Sequence, residues 1–307
     1  MEPSQLRFNT AAQFAPENTV RDIKTSPALV LEGGGLRAIY TAGVLDAFLD
    51  ADIHFDYVVG VSAGAIYPAS YLSRQPKRNL QIQQSYLNDK RYMGLKYLLA
   101  TGNYVNTDFT YKRMANELVP YDFETFLHSG TEFKVGAFNC LTGETDFFGK
   151  ADFSDSDQFL AVLIASSSLP FISKPVLVNG TPYLDGGISA PIPLATARLD
   201  GYQKQVVILT QEADYRKSAF KLKWLARKIY RRYPKVAEAL LVRHQVYNQA
   251  LSELALAQKE GHALVLQPQT PLGLARLERD ITKVEAAYQR GVVDGKTFIP
   301  KLREFIG

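Results

Sequence analysis

Short apolar runs alternate along the chain with segments of helical period, the pattern of a parallel sheet wrapped by helices. "ALVLE" (28–32) reads as a strand, and Leu36, Tyr40, Val44, Ala47, Phe48 and Ala51 then recur at helical spacing. "DYVVGV" (56–61) reads as a second strand, followed by a helix from about 62 to 73. The order so far is strand, glycine loop, helix, strand, serine turn, helix.

Further on, residues 77–100 read as helical, 133–148 as a hairpin and 156–168 as a buried helix. "PVLVNGTPYLDGG" (175–187) reads as a hairpin turning through Asn179-Gly180, the pair favoured in a two-residue turn. "QVVILT" (205–210) and "ALVLQP" (263–268) are late strands with a helical stretch of roughly fifty residues between them. A helical region at about 274–305 closes the sequence. The pattern predicts an α/β fold, with a mostly parallel central sheet flanked by helices and an added helical C-terminal region. It divides the chain into an arm (1–27), an α/β domain (28–210) and a mainly helical region (211–307) packed on or continuing that domain.

Composition adds limits. Hydrophobic residues make up 46% and charged residues 21% of 307, which fits a packed globular chain and excludes disordered and fibrous classes. A net charge of +4 is too small to argue for nucleic acid, and none is expected as a partner. The distribution is uneven, however. Between 216 and 235 lie Arg216, Lys217, Lys221, Lys223, Arg227, Lys228, Arg231, Arg232 and Lys235 with no acidic residue. Leu222, Leu225, Ile229 and Tyr233 form an apolar stripe in that segment, with Phe220 and Trp224 toward its other side. Such a helix packs on the core through its stripe, lies on anionic lipid or closes over a lipid site.

Cys140 stands alone, so no intrachain disulfide forms, and a reducing cytoplasm is the expected location. Residues 1–27 lack the apolar stretch of a signal peptide, and no run reaches the length of a spanning helix.

Two motifs carry chemistry. Gly60-Val61-Ser62-Ala63-Gly64 matches G-x-S-x-G, in which a serine hydroxyl is lifted off a sheet on a sharp strand-to-helix turn. The competing reading is a glycine-rich packing turn. "EGGGLRA" (32–38) places Gly33, Gly34 and Gly35 before the first helix, where exposed backbone amides and a helix N-terminus bind an anion. A dinucleotide loop would need a third glycine where Ala38 stands and an acidic residue closing the second strand, where Gly-Val-Ser stands. An oxyanion loop needs a nucleophile after the neighbouring strand, and Ser62 is there.

The proton acceptor is less direct. His54 and His262 each precede a strand and, if those strands run parallel, belong at the opposite edge of the sheet; His262, which follows a glycine, is the least implausible of the four. His244 lies on the stripe of Val236, Leu240, Tyr247, Leu251 and Leu254 as a hydrogen-bonded core histidine, and His128 ends a surface helix. "YLDGG" instead puts Asp185 at a strand end, before Gly186 and Gly187. An ordinary Asp-Gly turn gives the same letters.

"EGGGLRA", "GVSAG" and "DGG", in this order, resemble the patatin-like phospholipase family. "FDYVVGVSAGA" and "SSSLPF" before "YLDGG" extend the likeness from about Ala28 to Pro193. The resemblance implies a three-layer patatin-like fold and a serine lipid acyl hydrolase with no cofactor and no metal. Its substrates would be carboxylic esters of phospholipids, lysophospholipids or acylglycerols. It implies Ser62 as nucleophile, Asp185 as general base without a histidine, and Gly33, Gly34, Gly35 and Arg37 around the oxyanion. Gly60, Gly64, Gly186 and Gly187 would support the turns. Ala38 departs from the family's final loop glycine, which bears on how closely the first helix packs. Two other readings stay open: a Ser-His-Asp esterase, and a non-catalytic lipid or nucleotide binder on the same fold.

Overall fold

A computed structural model describes residues 23–153 and 155–307. Most of the expected N-terminal arm therefore lies outside the described residues. Eight strands form one mixed sheet: β1 (Ala28–Leu31), β2 (Tyr57–Val61), β3 (Glu132–Asn139), β4 (Thr145–Phe148), β5 (Val176–Val178), β6 (Thr181–Asp185), β7 (Gln205–Ile208) and β8 (Ala263–Leu266). The order is β5-β6-β3-β2-β1-β7-β8, with β4 paired to β3. From β3 to β8 neighbouring strands are parallel, whereas β4 and β6 run antiparallel to β3. The sheet is thus parallel at its centre and antiparallel at one edge.

Strands β1 and β2 are buried along their whole length, which is why they read as continuous apolar runs. Alternate residues of β1 face two different layers. Leu29 and Leu31 join a core with Tyr40, Val44 and Phe48 of α1 (Ile39–Asp50) and with Phe298 and Leu302 near the chain's end. Ala28 and Val30 face Leu194, Ala197, Tyr247 and Leu254 on the other side. Three layers result.

α2 (Ala63–Leu72) follows β2 directly, and α3 (Arg78–Tyr86) and α4 (Leu95–Thr101) occupy the stretch expected to be one helix. The break comes where Asp89 accepts the Arg91 amide and binds its guanidinium, a local turn that competes with the helix. A π-type helical segment, Asp108–Leu118, was not legible from periodicity, and α5 (Phe123–His128) is the surface helix expected to end at His128. α6 (Ser156–Ser166) is the expected buried helix, and a short α7 (Leu194–Leu199) follows β6. Asn179 and Gly180 both take positive φ, 49° and 80°, as the predicted tight hairpin turn requires.

The basic segment forms one short helix of its own, the seven residues of α8 (Lys223–Ile229). Ala226 and Tyr230 are buried, in a cluster with Val236 and Leu240 of α9 (Pro234–Lys259). The expected Leu222–Leu225–Ile229–Tyr233 stripe is not the docked face: Leu222 and Ile229 are about half exposed and Trp224 is exposed. The short helix seats on its small and aromatic residues instead.

α10 (Ile281–Ile306) crosses α1 at very close range. A Cβ on Gly43 would collide with the Tyr288 carbonyl, and one on Gly291 with the Tyr40 carbonyl, so these glycines set the helix separation. No helix among the described residues is long and apolar enough to cross a membrane.

Candidate active site

The sheet register brings the two motif ends together. Val61, the last residue of β2, pairs with Gly136 of β3, and Asp185, the last residue of β6, pairs with the next residue, Ala137. Because β4 occupies the other side of β3 at these rungs, β2 and β6 lie on the same side and meet head to head. Ser62 and Asp185, 123 residues apart in the chain, therefore face one another: Ser62 Oγ donates to Asp185 Oδ2 at 2.6 Å. Both are buried, at 6% and 1% exposure.

Small residues permit this meeting. A Cβ at Gly186 would strike the Gly136 carbonyl, and one at Gly60 would strike the Gly64 carbonyl. A Cβ at Gly64 would sit 2.6 Å from the Glu32 carbonyl oxygen, so the G-x-S-x-G glycines are required by contact with each other and with the glycine loop.

Ser62 itself adopts φ 56° and ψ −132°, a conformation costing a non-glycine residue about 1–3 kcal/mol. Its amide donates to Ser166 Oγ at 2.8 Å, and that hydroxyl donates to the Gly136 carbonyl at 2.7 Å. Ser168 holds the other partner, its carbonyl accepting the Asp185 amide at 2.9 Å. The "SSSLPF" segment thus anchors both motif ends. Asp185 Oδ1 accepts the Gly187 amide at 2.8 Å, and Arg243 Nε of α9 donates to the Gly187 carbonyl at 2.7 Å.

The glycine loop closes the site from the β1 side. Gly33 lies against Ser62, where a Cβ would be 3.0 Å from the serine Cβ. Gly35 takes φ +59°, and the Leu36 amide donates to the Arg276 carbonyl at 3.0 Å. Among the described residues the amides of Gly33 and Gly34 have no hydrogen-bond acceptor. Arg37 is half-buried beside a narrow cavity at Ser62, with Nε buried and, among the described residues, without a partner. Ala38, the departure from the resemblance, is fully buried.

Behind the loop, Glu32 Oε2 accepts both the amide and the hydroxyl of Thr210, at 2.6 and 3.0 Å. Its Oε1 accepts Tyr247 OH at 2.7 Å. Burial pushes the Glu32 carboxyl above the usual range, and these hydrogen bonds and the charge of Arg37 pull it back. Burial also lowers Arg37 and Arg243, the latter to about 10.

Two cavities reach Ser62. One, about 180 Å³, is apolar and lined by Ile66, Tyr67, Ile82, Met114, Leu160 and Leu163. The other, about 20 Å³, is polar and also touches Asp185, Arg37 and Arg243. A third, about 590 Å³, borders Leu169 and Arg276 beside them.

None of the four histidines is bonded to Ser62. His54 and His262 precede parallel strands, as expected, and lie beside Asp52 and Glu260. His128 is exposed at the end of α5, where Nδ1 meets the Glu124 carbonyl oxygen at 2.8 Å. His244 differs from the expected hydrogen-bonded core histidine: its Nδ1 is buried without a partner, and it lines the large side cavity.

Sequence reasoning missed Glu32, Thr210, Tyr247, Lys217 and Arg276 as site residues. Glu32 heads the "EGGG" run, and a buried acid there was the available signal.

A family model described as patatin-like phospholipase matches residues 29–198, more than half of the chain. A second, a domain of unknown function (DUF6363), matches 233–307. The Escherichia coli (strain K12) uncharacterized protein YjjU is 33% identical over 188 residues, covering 60% of this chain and 51% of that one. Lysophospholipase nte1 of Aspergillus oryzae is 29% identical over 167 residues, covering 53% of this chain and 10% of the relative. The chain thus spans about half the length of the first relative and a tenth of the second. Among solved structures, VipD from Legionella pneumophila is similar at a TM-score of 0.45 and 12% identity, covering 91% of this chain and 67% of that chain. With its matched segment holding the glycine loop and the Ser62 and Asp185 turns, the chain belongs to the patatin-like phospholipase family.

Proposed function

We propose that the protein is a serine lipid acyl hydrolase that cleaves carboxylic esters of phospholipids, lysophospholipids or acylglycerols through a Ser62–Asp185 dyad and an acyl-enzyme. The observation that carries this reading is the 2.6 Å hydrogen bond between Ser62 and a buried Asp185 where an apolar cavity ends. The acyl chain of the substrate enters the apolar cavity, and its carbonyl carbon meets Ser62 Oγ. Asp185 takes the hydroxyl proton as the oxygen attacks. The oxyanion forms toward the Gly33 and Gly34 amides, with Gly35 shaping the loop and Arg37 adding positive charge.

Collapse of the tetrahedral intermediate expels the alcohol, which takes the proton held on Asp185. Water activated by Asp185 then releases the fatty acid from Ser62. An alcohol leaving group needs less proton donation than an amine, so the dyad suits esters better than peptides.

The catalytic unit is residues 28–210, supported from 211–307 by Arg243 and Tyr247. A peripheral contact with anionic membrane runs through 216–235, where exposed Trp224, Leu222 and Ile229 stand among Lys221, Lys223, Arg227 and Lys228. Lipid profiling of cells carrying wild type or Ser62→Ala tests the function. Lysophospholipid, phospholipid or acylglycerol species that fall only with the wild type support it, and identical profiles oppose it.

A further inference from the structure

Beyond the ester-cleaving reading, on which this inference rests, the site contains more positive charge than its carboxylates balance. Arg37, Lys217, Arg243 and Arg276 line the narrow polar cavity at Ser62, against two carboxylates, Glu32 and Asp185. Glu32 is already engaged by Thr210 and Tyr247, and Asp185 by Ser62 and Gly187. Among the described residues neither Lys217 nor Arg276 forms an ion pair; the Lys217 ammonium lies 5.2 Å over the Tyr247 ring. Arg37 Nε is buried with no acceptor. Unpaired cations gathered around a concave site carry a cost that a bound anion removes.

Lys217, Arg243 and Arg276 also line the 590 Å³ side cavity, so the three stand where the two spaces adjoin. The narrow cavity, at about 20 Å³ and lined by Gly33 and Gly34, has room for about one water-sized atom, the ester carbonyl oxygen. A phosphate on the same substrate would lie at the junction, beside Arg243 and Arg276, whose forked donors suit phosphate oxygens. Among the described residues no acidic residue lines the side cavity, and Lys221 adds another cation to its wall. A choline or ethanolamine passing beyond the phosphate would meet only like charge there.

We infer that Lys217, Arg243 and Arg276, together with Arg37, form a phosphate subsite beside the nucleophile, which selects acyl esters bearing a terminal phosphomonoester over those with zwitterionic head groups. Lys217, Arg243 and Arg276 all lie outside the 29–198 family match, so this selectivity comes from the chain's C-terminal third.

Lys217 gives the subsite a pH dependence. It faces Arg37 from the loop after β1, Arg243 and Tyr247 from α9, Arg276 from the loop before α10, and Glu32 at the end of β1. Burial and the three arginines pull its ammonium down to about 7. A phosphomonoester takes its second charge near pH 6. Phosphate recognition is therefore strongest between about pH 6 and 7, and weakens above that range as Lys217 loses its proton.

The test compares hydrolysis of lysophosphatidic acid and lysophosphatidylcholine with the same acyl chain, and adds inorganic phosphate as a competitor against a neutral nitrophenyl ester. The expected result is a kcat/KM at least tenfold higher for lysophosphatidic acid. Arg276→Ala and Lys217→Ala should each cut that ratio by roughly tenfold, mainly through KM, while Arg276→Lys retains part of it. Equal kcat/KM for the two lipids, or a preference unmoved by both variants, overturns the subsite while leaving ester hydrolysis standing. If no ester is cleaved, the hydrolase reading fails, and phosphate binding measured by calorimetry on wild type and Arg276→Ala still decides the subsite. Binding that Arg276→Ala does not weaken overturns it. Inhibition by free phosphate without discrimination between the lipids assigns the cations to a soluble phosphate ligand and also overturns the lipid proposal.

Discussion

Arg243 Nε donates to the Gly187 carbonyl at 2.7 Å, tying α9 to the turn that follows Asp185. A residue outside the 29–198 patatin-like match thus fixes the carboxylate end of the Ser62–Asp185 pair. Arg243→Ala leaves that carbonyl without its donor and loosens the Asp185 turn. On a neutral nitrophenyl ester, with no phosphate involved, kcat should fall roughly 10–100-fold, since small misplacements of reacting groups cost that much. Steady-state kinetics with a melting curve separates this from unfolding, and an unchanged kcat would count against the positioning role.

Ser166 supports the other end. Ser166→Ala removes the acceptor of the buried Ser62 amide, costing about 1–3 kcal/mol of stability and releasing a strained turn. The measurement is the rate of fluorophosphonate labelling at Ser62 beside a denaturant melt. Stability should drop and labelling should slow together.

The head-to-head meeting of β2 and β6 was the part of the site that periodicity could not supply. The letters of "GVSAG" and "YLDGG" marked two strand ends, and the alternating runs marked strands β1, β2, β3, β7 and β8. That Asp185 reaches Ser62 depends on β6 running antiparallel and pairing with β3 one rung beyond β2, a long-range register with no local signature. The "EGGG" run marks Glu32, but its partners Thr210 and Tyr247 come from two distant elements that no local pattern connects to it. The helix at 77–100 was misjudged because apolar spacing continues through the turn at Asp89.

In the proposed mechanism the apolar cavity receives the acyl chain, so its size should limit acyl length. At about 180 Å³ it is close in size to an engineered cavity that takes benzene, a guest of six carbons. Half-buried Ile66 lines it next to Ser62, so Ile66→Trp fills the space without opening a core void. Activity on octanoyl esters should fall at least tenfold relative to acetyl esters. A uniform loss across chain lengths would mean that the acyl group lies elsewhere.

Cys140 offers an independent check on the fold. It is 1% exposed, and burial pushes its thiol from 9.0 up to about 12. The folded chain therefore keeps the thiol neutral where the unfolded chain ionises it, so this group's stabilising contribution is full below about pH 9 and is lost as pH rises toward 12. At pH 8 a disulfide reagent should titrate no thiol in native protein and one per chain in denaturant. Rapid native reaction would contradict the burial.

The dyad is tested most directly by hydrolysis of nitrophenyl butyrate by Asp185→Asn, His244→Ala and His262→Ala, each checked for folding. The account predicts that Asp185→Asn loses about a thousandfold in kcat, while both histidine variants stay within a few-fold of wild type. A histidine variant that abolishes hydrolysis, or an Asp185→Asn enzyme that keeps it, would show that the Ser62 proton goes elsewhere.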